Sequence, residues 1–266
     1  MKYELGFIGA GNMAEAIAQA AIESGIVSAE KMITADPVGQ RREIFKRLAI
    51  KSTDDNKAVI GESKQVLLAI KPQTLSAVAQ DLQAVDSRRQ VIMSIMAGIT
   101  TSKIATAAGK PLRVVRVMPN MPLMVGFGMA AIALGADAQA GDEALALRLF
   151  GAAGKAVVVD ESQLDAVAAV SGSGPAYVFY LAEAMRQAAD QLGLDEHSAL
   201  LVEQTILGSA MLLSKSDDTP SQLRQKVTSP GGTTEAAIKQ FDTVAMRDVI
   251  IKAIKAARDR SLELGA

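Results

Sequence analysis

The chain has 266 residues, a formal net charge of −1 and no cysteine. The lack of cysteine excludes a disulfide framework, a thiolate nucleophile and a thiolate metal site, and the small net charge argues against a nucleic-acid partner. His197 is the single histidine, and it lies at a predicted helix start, where a solvated or capping role is favoured over catalysis. No zinc site and no Ser-His-Asp set can be assembled. We therefore expect no metal, and chemistry that comes largely from an organic cofactor.

The length and hydropathy of the sequence limit its class further. No apolar run approaches the ~18 residues that a membrane-spanning helix needs. The N-terminus also lacks the basic and then apolar layout of a signal peptide. We expect a soluble, cytoplasmic protein with no membrane partner. A chain of this length buries roughly 75% of its unfolded surface, which allows one large or two modest domains.

The first part of the sequence alternates apolar strand patterns with helical patterns. This βα order predicts a doubly wound, mostly parallel sheet that binds ligands at the carboxyl ends of its strands. The predicted strands are residues 3–8, 31–35, 66–70, 90–95 and 112–117, with 129–134 and 156–159 extending the sheet. The predicted helices between them are residues 12–24, 41–48, 75–82 and 142–150.

After Asp160 the strand patterns end and long alanine-rich helices begin. These helices are predicted at residues 175–192, 196–214, 220–227 and 244–264. The change of pattern predicts two domains, a ligand-binding sheet domain over residues 1–161 and a helical domain over residues 162–266. A small domain made of such long helices cannot cover all of their apolar faces, so we expect association with a second copy.

A glycine-rich turn, Gly9-Ala10-Gly11-Asn12-Met13-Ala14, follows the first predicted strand and opens a helix. This is the context of a dinucleotide-binding loop. Gly9 would form the tight turn, Gly11 would let a pyrophosphate approach the backbone, and Ala14 would let the helix pack closely.

Asp36 ends the second predicted strand, where an acidic residue commonly accepts hydrogen bonds from the ribose hydroxyls. Arg41 and Arg42 lie just beyond it. They would either bind a 2′-phosphate or form a solvated helix start. The two signals conflict, so both NADH and NADPH remain open as the cofactor.

Three further loops end buried strands, at Lys71-Pro72, at Met96-Ala97-Gly98 and at Met118-Pro119-Asn120. Proline and glycine at such positions can simply stop a strand. Beside a nucleotide-binding turn, however, three loops along one sheet edge also fit the wall of a nicotinamide pocket.

A second anion-binding pattern lies near the end of the sequence, at Ser229-Pro230-Gly231-Gly232-Thr233-Thr234. Its Gly-Gly turn lets the backbone approach a ligand, and a helix is predicted to start at Glu235. The first N–H groups of a helix lack intrahelical partners and can bind a small anion such as a carboxylate. Another glycine-rich segment, residues 171–177, is either a packed hinge or part of the substrate site.

Taken in order over essentially the whole chain, these motifs resemble those of the Δ1-pyrroline-5-carboxylate reductases. The resemblance rests on residues 7–13, 69–72, 118–122, 171–177 and 229–234. It implies that NADH or NADPH donates a hydride to the C=N carbon of a cyclic imino acid, giving L-proline. It also implies a Rossmann-like N-terminal domain, an all-helical C-terminal dimerisation domain, and a homodimer that assembles further into a ring of dimers, a decamer in the largest form.

The resemblance also implies roles for individual residues. The Thr234 hydroxyl would face the imine nitrogen as the catalytic group. The cofactor-binding residues would be Gly9, Ala10, Gly11, Asn12, Met13, Asp36, Asn56, Ala69, Lys71, Pro72, Ala97, Gly98, Asn120 and Pro122. The substrate-binding residues would be Val227, Ser229, Gly231, Gly232, Thr233 and Thr234. Many family members carry a small polar residue in place of Asp36 and favour NADPH, which leaves the cofactor preference open here.

Two other functions fit the same two-domain plan. A β-hydroxyacid dehydrogenase, or another imine reductase, would share the cofactor loop. The β-hydroxyacid reaction needs a lysine or similar group on the helix after Pro175, and that helix carries Glu183 and Arg186 but no lysine. A non-enzymatic nucleotide-binding protein would need no second anion site, so the Gly231-Gly232 loop argues against it.

Overall fold

The computed structural model describes residues 1–265, and these form two compact units. Unit 1 contains residues 1–173 together with the chain from Ala257 onward, and unit 2 is Gly174–Ala256. The bounds of the units differ from those of the predicted domains because residues 162–173 and the end of the last helix pack with the sheet.

Unit 1 is built on one sheet of eight strands in the order β3-β2-β1-β4-β5-β6-β7-β8. All neighbouring strands are parallel except β6 and β7. This confirms the predicted doubly wound, mostly parallel sheet. The strands are β1 (Tyr3–Ile8), β2 (Met32–Ala35), β3 (Lys51–Thr53), β4 (Ser63–Leu68), β5 (Val91–Ser94), β6 (Val114–Met118), β7 (Gly128–Leu134) and β8 (Gly154–Val158).

Seven helices of unit 1 connect or follow these strands. They are α1 (Asn12–Glu23), α2 (Gly39–Arg47), α3 (Asn56–Glu62), α4 (Leu75–Leu82), α5 (Thr101–Ala108), α6 (Ala144–Ala152) and α7 (Leu164–Val167). Shorter 3₁₀ turns lie at Ala29–Lys31, Pro72–Thr74, Met121–Val125 and Glu161–Gln163, and a π-helical turn spans Ala168–Gly172.

Four of these strands and helices, β3, α3, α5 and α7, were not predicted from the sequence. The stretch that contains β3 and α3 is rich in polar residues, and β3 exists because it pairs with β2. Side-chain caps begin α3 and α5. The Asp55 carboxylate accepts the Lys57 N–H at 2.8 Å, and the Thr100 hydroxyl accepts the Lys103 N–H at 3.2 Å.

The core lies on both faces of the sheet. Successive strand side chains point to opposite faces. Accordingly Phe7 and Leu67 belong to one apolar cluster, whereas Ile8 and Leu68 belong to another. Phe7 also meets Phe45 of α2 edge-on, with ring centroids 5.8 Å apart. Helices therefore cover the sheet from both sides, as its continuous apolar strands require.

A charged cluster is built into this unit. Arg116 on β6 is buried and lies 3.5 Å from both the Glu161 and the Asp165 carboxylates. Glu161 also accepts the Thr101 N–H at 2.7 Å, and Asp165 accepts the Ser261 hydroxyl at 2.6 Å. Each buried charge is thus paired, and the last turns of the chain are fixed to the edge of unit 1.

Unit 2 is entirely helical. It contains α8 (Gly174–Gln191), α9 (Ser198–Lys215), α10 (Pro220–Lys226), α11 (Thr233–Thr243) and the first part of α12 (Met246–Gly265). Its buried residues are Ala189, Ser198 and Val202. Among residues 1–265, no helix is both long enough and apolar enough to cross a bilayer.

Candidate cofactor and substrate loops

The glycine loop between β1 and α1 lies against the ends of two neighbouring strands. The Gly9 N–H donates to the Ala35 carbonyl at 2.8 Å. Gly9 has φ +97°, and a Cβ atom there would lie 2.5 Å from the Ala69 carbonyl oxygen. By contrast, a Cβ at Gly11 would have no described atom within 4 Å. Gly9 is therefore required by the fold, whereas the space above Gly11 is free for a ligand.

Asp36 follows β2 and holds this loop in place. One of its carboxylate oxygens accepts the Ala10 N–H and the other accepts the Val38 N–H, each at 2.8 Å. Arg41 donates to the Ala10 carbonyl at 2.5 Å and pairs with Glu15 at 2.8 Å. Side chains of the neighbouring segment therefore hydrogen-bond both the N–H and the carbonyl group of Ala10.

Arg42 has a different set of partners. Its guanidinium donates to the Asp36 and Pro37 carbonyls at 2.7 Å and 2.9 Å. Both candidate ligands of a 2′-phosphate, Arg41 and Arg42, thus already contact groups of unit 1. A 2′-phosphate would have to replace or share these contacts.

The three strand-end loops do lie side by side, because β4, β5 and β6 are neighbours in the sheet. Lys71 is exposed and precedes the 3₁₀ turn that starts at Pro72, and the Ala69 N–H donates to the Ile8 carbonyl at 2.8 Å. Ala97 is half-buried. These positions line the same sheet edge as the glycine loop.

Gly98 has a packing role in addition to its predicted one. Its φ is +73°, and a Cβ there would lie 3.0 Å from the Leu264 side chain and 3.1 Å from the Ser261 carbonyl oxygen. The last turns of α12 thus approach the backbone of this loop. Sequence reasoning gave no sign of that contact because the two segments are far apart in the chain.

The side chains of Asn120 and Asn56 also have protein partners. The Asn120 amide donates to the Ser171 carbonyl at 3.0 Å and accepts the Met129 N–H at 2.9 Å. The Asn56 amide donates to the Asp81 carboxylate at 2.9 Å. Asn120 therefore fixes the loop that leads into Pro122, and both the nitrogen and the oxygen of its side-chain amide are used in these contacts.

The second anion loop lies between α10 and α11, wholly within unit 2. Helix α11 begins at Thr233 with Gly232 as its N-cap, which is two residues before the predicted start at Glu235. Gly231 has φ +71°, and the Gly232 N–H donates to the Ser229 carbonyl at 3.0 Å. The turn therefore needs glycine at the first position, as the sequence suggested.

The first turn of α11 presents N–H groups that precede the helical ladder. The first intrahelical bond runs from the Ala236 N–H to the Gly232 carbonyl at 3.2 Å. Among the hydrogen bonds formed by residues 1–265, none uses the half-buried Thr234 hydroxyl. Val227 and Ser229 are exposed. The loop thus has backbone donors for a carboxylate, and the Thr234 hydroxyl is available to a ligand.

One residue of this loop was missed by the sequence reasoning. The Glu235 carboxylate accepts the Gly231 N–H at 2.7 Å. Glutamate at this position of a first helical turn commonly reaches back to a backbone N–H before the helix, and that spacing is the signal that was overlooked. No group of three or more His, Cys, Asp or Glu residues that could hold a metal ion occurs in the described part of the chain.

Taken together, the sheet order, the glycine loop after β1 and the acidic residue after β2 define a dinucleotide-dependent oxidoreductase of the Rossmann class. The comparisons with known proteins are consistent with this class. Residues 4–98 match a family model described as NADP oxidoreductase coenzyme F420-dependent, and residues 161–264 match one described as pyrroline-5-carboxylate reductase dimerisation.

Relatives match the chain over its full length. A pyrroline-5-carboxylate reductase of Synechocystis is 40% identical over 100% of this chain and 99% of its own length. One of Arabidopsis thaliana is 37% identical, covering 98% and 95%. The solved pyrroline-5-carboxylate reductase of Coxiella burnetii has a TM-score of 0.90 at 36% identity, with both chains covered completely. The chain belongs to the pyrroline-5-carboxylate reductase family.

More distant structures share the fold alone. A prephenate dehydrogenase of A. aeolicus has a TM-score of 0.54 at 13% identity, and a ketol-acid reductoisomerase from an uncultured archean has 0.65 at 14%. At such identities the likeness reflects a common fold, not a shared substrate.

Proposed function

We propose that this chain reduces 1-pyrroline-5-carboxylate to L-proline, the last step of proline biosynthesis, with a hydride from NADH or NADPH. The observation that carries the proposal is the similarity over the full length to reductases of this name, together with the intact Ser229–Thr234 loop. The chain is an oxidoreductase of small-molecule substrates.

Unit 1 has the features that a nicotinamide dinucleotide needs. The free space at Gly11 beside the start of α1 admits a pyrophosphate, and the N–H groups and dipole of the helix start favour its negative charge. Gly9, Ala10, Gly11, Asn12 and Met13 form this part of the site. Asp36, Asn56, Ala69, Lys71, Pro72, Ala97, Gly98, Asn120 and Pro122 line or support the rest. When bound, the dinucleotide supplies the hydride.

The loop in unit 2 binds the substrate in this proposal. The N–H groups at the start of α11 hold the carboxylate, which fixes the ring and thereby selects the face that is reduced. Val227, Ser229, Gly231, Gly232 and Thr233 form this carboxylate site. The Thr234 hydroxyl hydrogen-bonds the ring nitrogen. Holding the reacting atoms about 3–3.5 Å apart then supplies most of the rate enhancement.

The chemistry requires few acid–base residues. A cyclic imine needs only protonation to become a good hydride acceptor, and the ring nitrogen of the product is itself basic. A chain without cysteine, and with a single exposed histidine that does not cap its helix through its side chain, is therefore sufficient.

The assembly follows from the helical part of the chain. The chain is a homo-oligomer, and we assign its dimer interface to the proposed helical domain, residues 162–266, with the nucleotide domain over residues 1–161. Rings of such dimers, up to a decamer, are compatible with this interface. We place the reaction in the cytoplasm.

The test is a Thr234→Ala variant, assayed by NAD(P)H absorbance with 1-pyrroline-5-carboxylate. Loss of a hydrogen bond to a charged group costs about 1.5–3 kcal/mol, so kcat/KM should fall roughly ten- to a hundredfold. Cofactor affinity should stay unchanged. The melting temperature should stay close to that of the wild type, because Gly232 rather than Thr234 caps the helix.

Thr234→Ser is the matched control and should retain most of the activity. An alanine variant with normal turnover would leave Thr234 without a catalytic role. A wild-type enzyme that fails to reduce this imine, but reduces the carbonyl compound that corresponds to a β-hydroxyacid, would favour the dehydrogenase alternative.

A further inference from the structure

The substrate loop contains a carboxylate of its own. Glu235 lies in the first turn of α11, and its Oε2 atom accepts the Gly231 N–H at 2.7 Å. The distance is that of a charge-assisted hydrogen bond. Both residues are exposed, and both belong to unit 2.

The Gly231 N–H is one of the donors that the proposed function assigns to the substrate. Gly231 is held at φ +71°, which directs its N–H toward the side chain one helical turn further on. The neighbouring Gly232 N–H is already used, because it donates to the Ser229 carbonyl at 3.0 Å. The turn between Ser229 and Thr233 therefore has one N–H whose partner is a side chain that can move away.

A side-chain carboxylate and a substrate carboxylate cannot both take this donor. Two like charges close together repel each other, and each would lose part of its hydrogen bonding. An exposed glutamate can rotate into solvent at little cost, whereas the backbone of the turn is held by the hydrogen bond from the Gly232 N–H to the Ser229 carbonyl. When a substrate carboxylate binds, the Glu235 side chain therefore moves away and the backbone of the loop stays in place.

We propose that Glu235 is a specificity-determining residue that competes with the substrate carboxylate for the Gly231 N–H. The proposal rests on the proposed function, because it takes the Ser229–Thr234 loop as the carboxylate site. In this role Glu235 raises the KM of the imino acid and weakens the binding of the product, and it leaves the chemical step unchanged. It makes the loop selective for ligands whose carboxylate displaces that of Glu235.

The test measures KM and kcat for 1-pyrroline-5-carboxylate, and the inhibition constant of L-proline, in Glu235→Ala and Glu235→Asp. Alanine removes the carboxylate, and aspartate keeps the charge but is too short to span the same distance. We expect the KM and the inhibition constant to fall about two- to fivefold in the alanine variant, the range for an exposed charged contact. The aspartate variant should show a smaller decrease of the same sign, and kcat should be retained.

Asp242→Asn is the matched control, because it removes one negative charge from the same helix about two turns further on. It should leave the KM unchanged. Melting curves of all variants correct for the loss of an acidic residue at a helix start, which lowers stability without lowering the KM.

The possible outcomes separate the two proposals. If the wild type reduces the imine and the KM of Glu235→Ala is unchanged or higher, Glu235 orders the loop rather than competing for it, and the inference is wrong. An equal fall of KM in Asp242→Asn would also overturn it, because the effect would then be one of general charge. A wild type that does not turn over the imine refutes the proposed function itself.

Discussion

The two units of this chain are built from similar apolar residues but use them differently. In unit 1 the strands place Leu5, Phe7 and Leu67 entirely out of solvent, and two large clusters cover the faces of the sheet. In unit 2 the buried residues are Ala189, Ser198 and Val202. The first unit closes its own core, and the second does not.

Large apolar side chains remain exposed in both units, but they are more numerous in unit 2, although it is the smaller of the two. Leu192 and Tyr180 of unit 2 are 78% and 76% exposed, and Leu200 is 70% exposed. A helical unit that leaves so many large apolar side chains exposed is typical of a protein–protein interface. Unit 1 instead buries even a charged residue, Arg116, between two carboxylates. We infer that unit 1 is stable through its own contacts, whereas unit 2 depends on a second copy.

The largest effect is expected when negative charges are introduced into the apolar surface of unit 2. Leu200 and Leu207 lie two turns apart on α9, and both are exposed. A Leu200→Glu/Leu207→Glu variant should lose its oligomer and most of its activity, because an obligate homo-oligomer often has no stable folded monomer. Light scattering should give the mass of one chain, 27.8 kDa, or aggregation.

Gln80→Glu/Gln83→Glu adds the same charge to α4 of unit 1 and to the residue that follows it, and is the matched control. Both glutamines are exposed. This variant should keep the oligomer and the activity. If the leucine variant also kept the mass and melting temperature of the wild type, the exposed faces of α9 would not be needed for assembly.

The same contrast explains what the sequence could predict of the fold. The apolar runs of β1, β4 and β5 are buried on both faces, so their hydropathy alone located them. The short strand β3 has three residues and forms only because β2 offers a free edge. The helical unit could be recognised, but the return of α12 to Gly98 could not, because the two segments are far apart in the chain and no local pattern connects them.

For the candidate site, the backbone-determined features were predicted best. Gly9 and Gly231 have the positive φ values that their motifs require. The side-chain contacts of Asp36 and Asn120 were not foreseen, since each depends on a segment that is distant in the sequence. The contact of Glu235 was missed although its spacing in the first helical turn was a signal for it. The exact contacts of the cofactor-binding residues stay predictions.

Gly9 and Gly11 of the cofactor loop allow a second test within unit 1. A substitution at Gly11 should affect cofactor binding alone, whereas one at Gly9 should also lower stability. A Gly11→Asp variant should fold normally, because the added atoms meet open space, yet lose cofactor affinity. Like charges about 4 Å apart at a protein surface repel by about 4 kcal/mol, hence roughly a thousandfold in Kd. Calorimetry with NADH and NADPH measures the loss.

Gly9→Ala is the informative counterpart of that variant. Its Cβ would lie 2.5 Å from the Ala69 carbonyl oxygen at a φ of +97°, so the melting temperature should fall along with cofactor binding. Equal melting temperatures for the two variants would contradict the separation. Undiminished cofactor binding by Gly11→Asp would remove the loop from the dinucleotide site.

The smallest expected effect concerns the choice between NADH and NADPH, and it depends on the double role of Asp36. Its carboxylate would accept the ribose 2′-OH and repel a 2′-phosphate, but it also holds the Ala10 and Val38 N–H groups. Asp36→Ser should therefore raise kcat/KM for NADPH relative to NADH by about tenfold, the equivalent of about 1.4 kcal/mol, while lowering the NADH value itself.

Asp36→Asn keeps one acceptor for the loop and removes the charge, so it should shift the ratio in the same direction with a smaller loss for NADH. Arg41 and Arg42 are bound to other groups and can turn to a 2′-phosphate only by giving up those contacts, which limits the gain. A wild type that already prefers NADPH strongly, with the ratio unchanged in both variants, would show that Asp36 serves the loop and not the ribose.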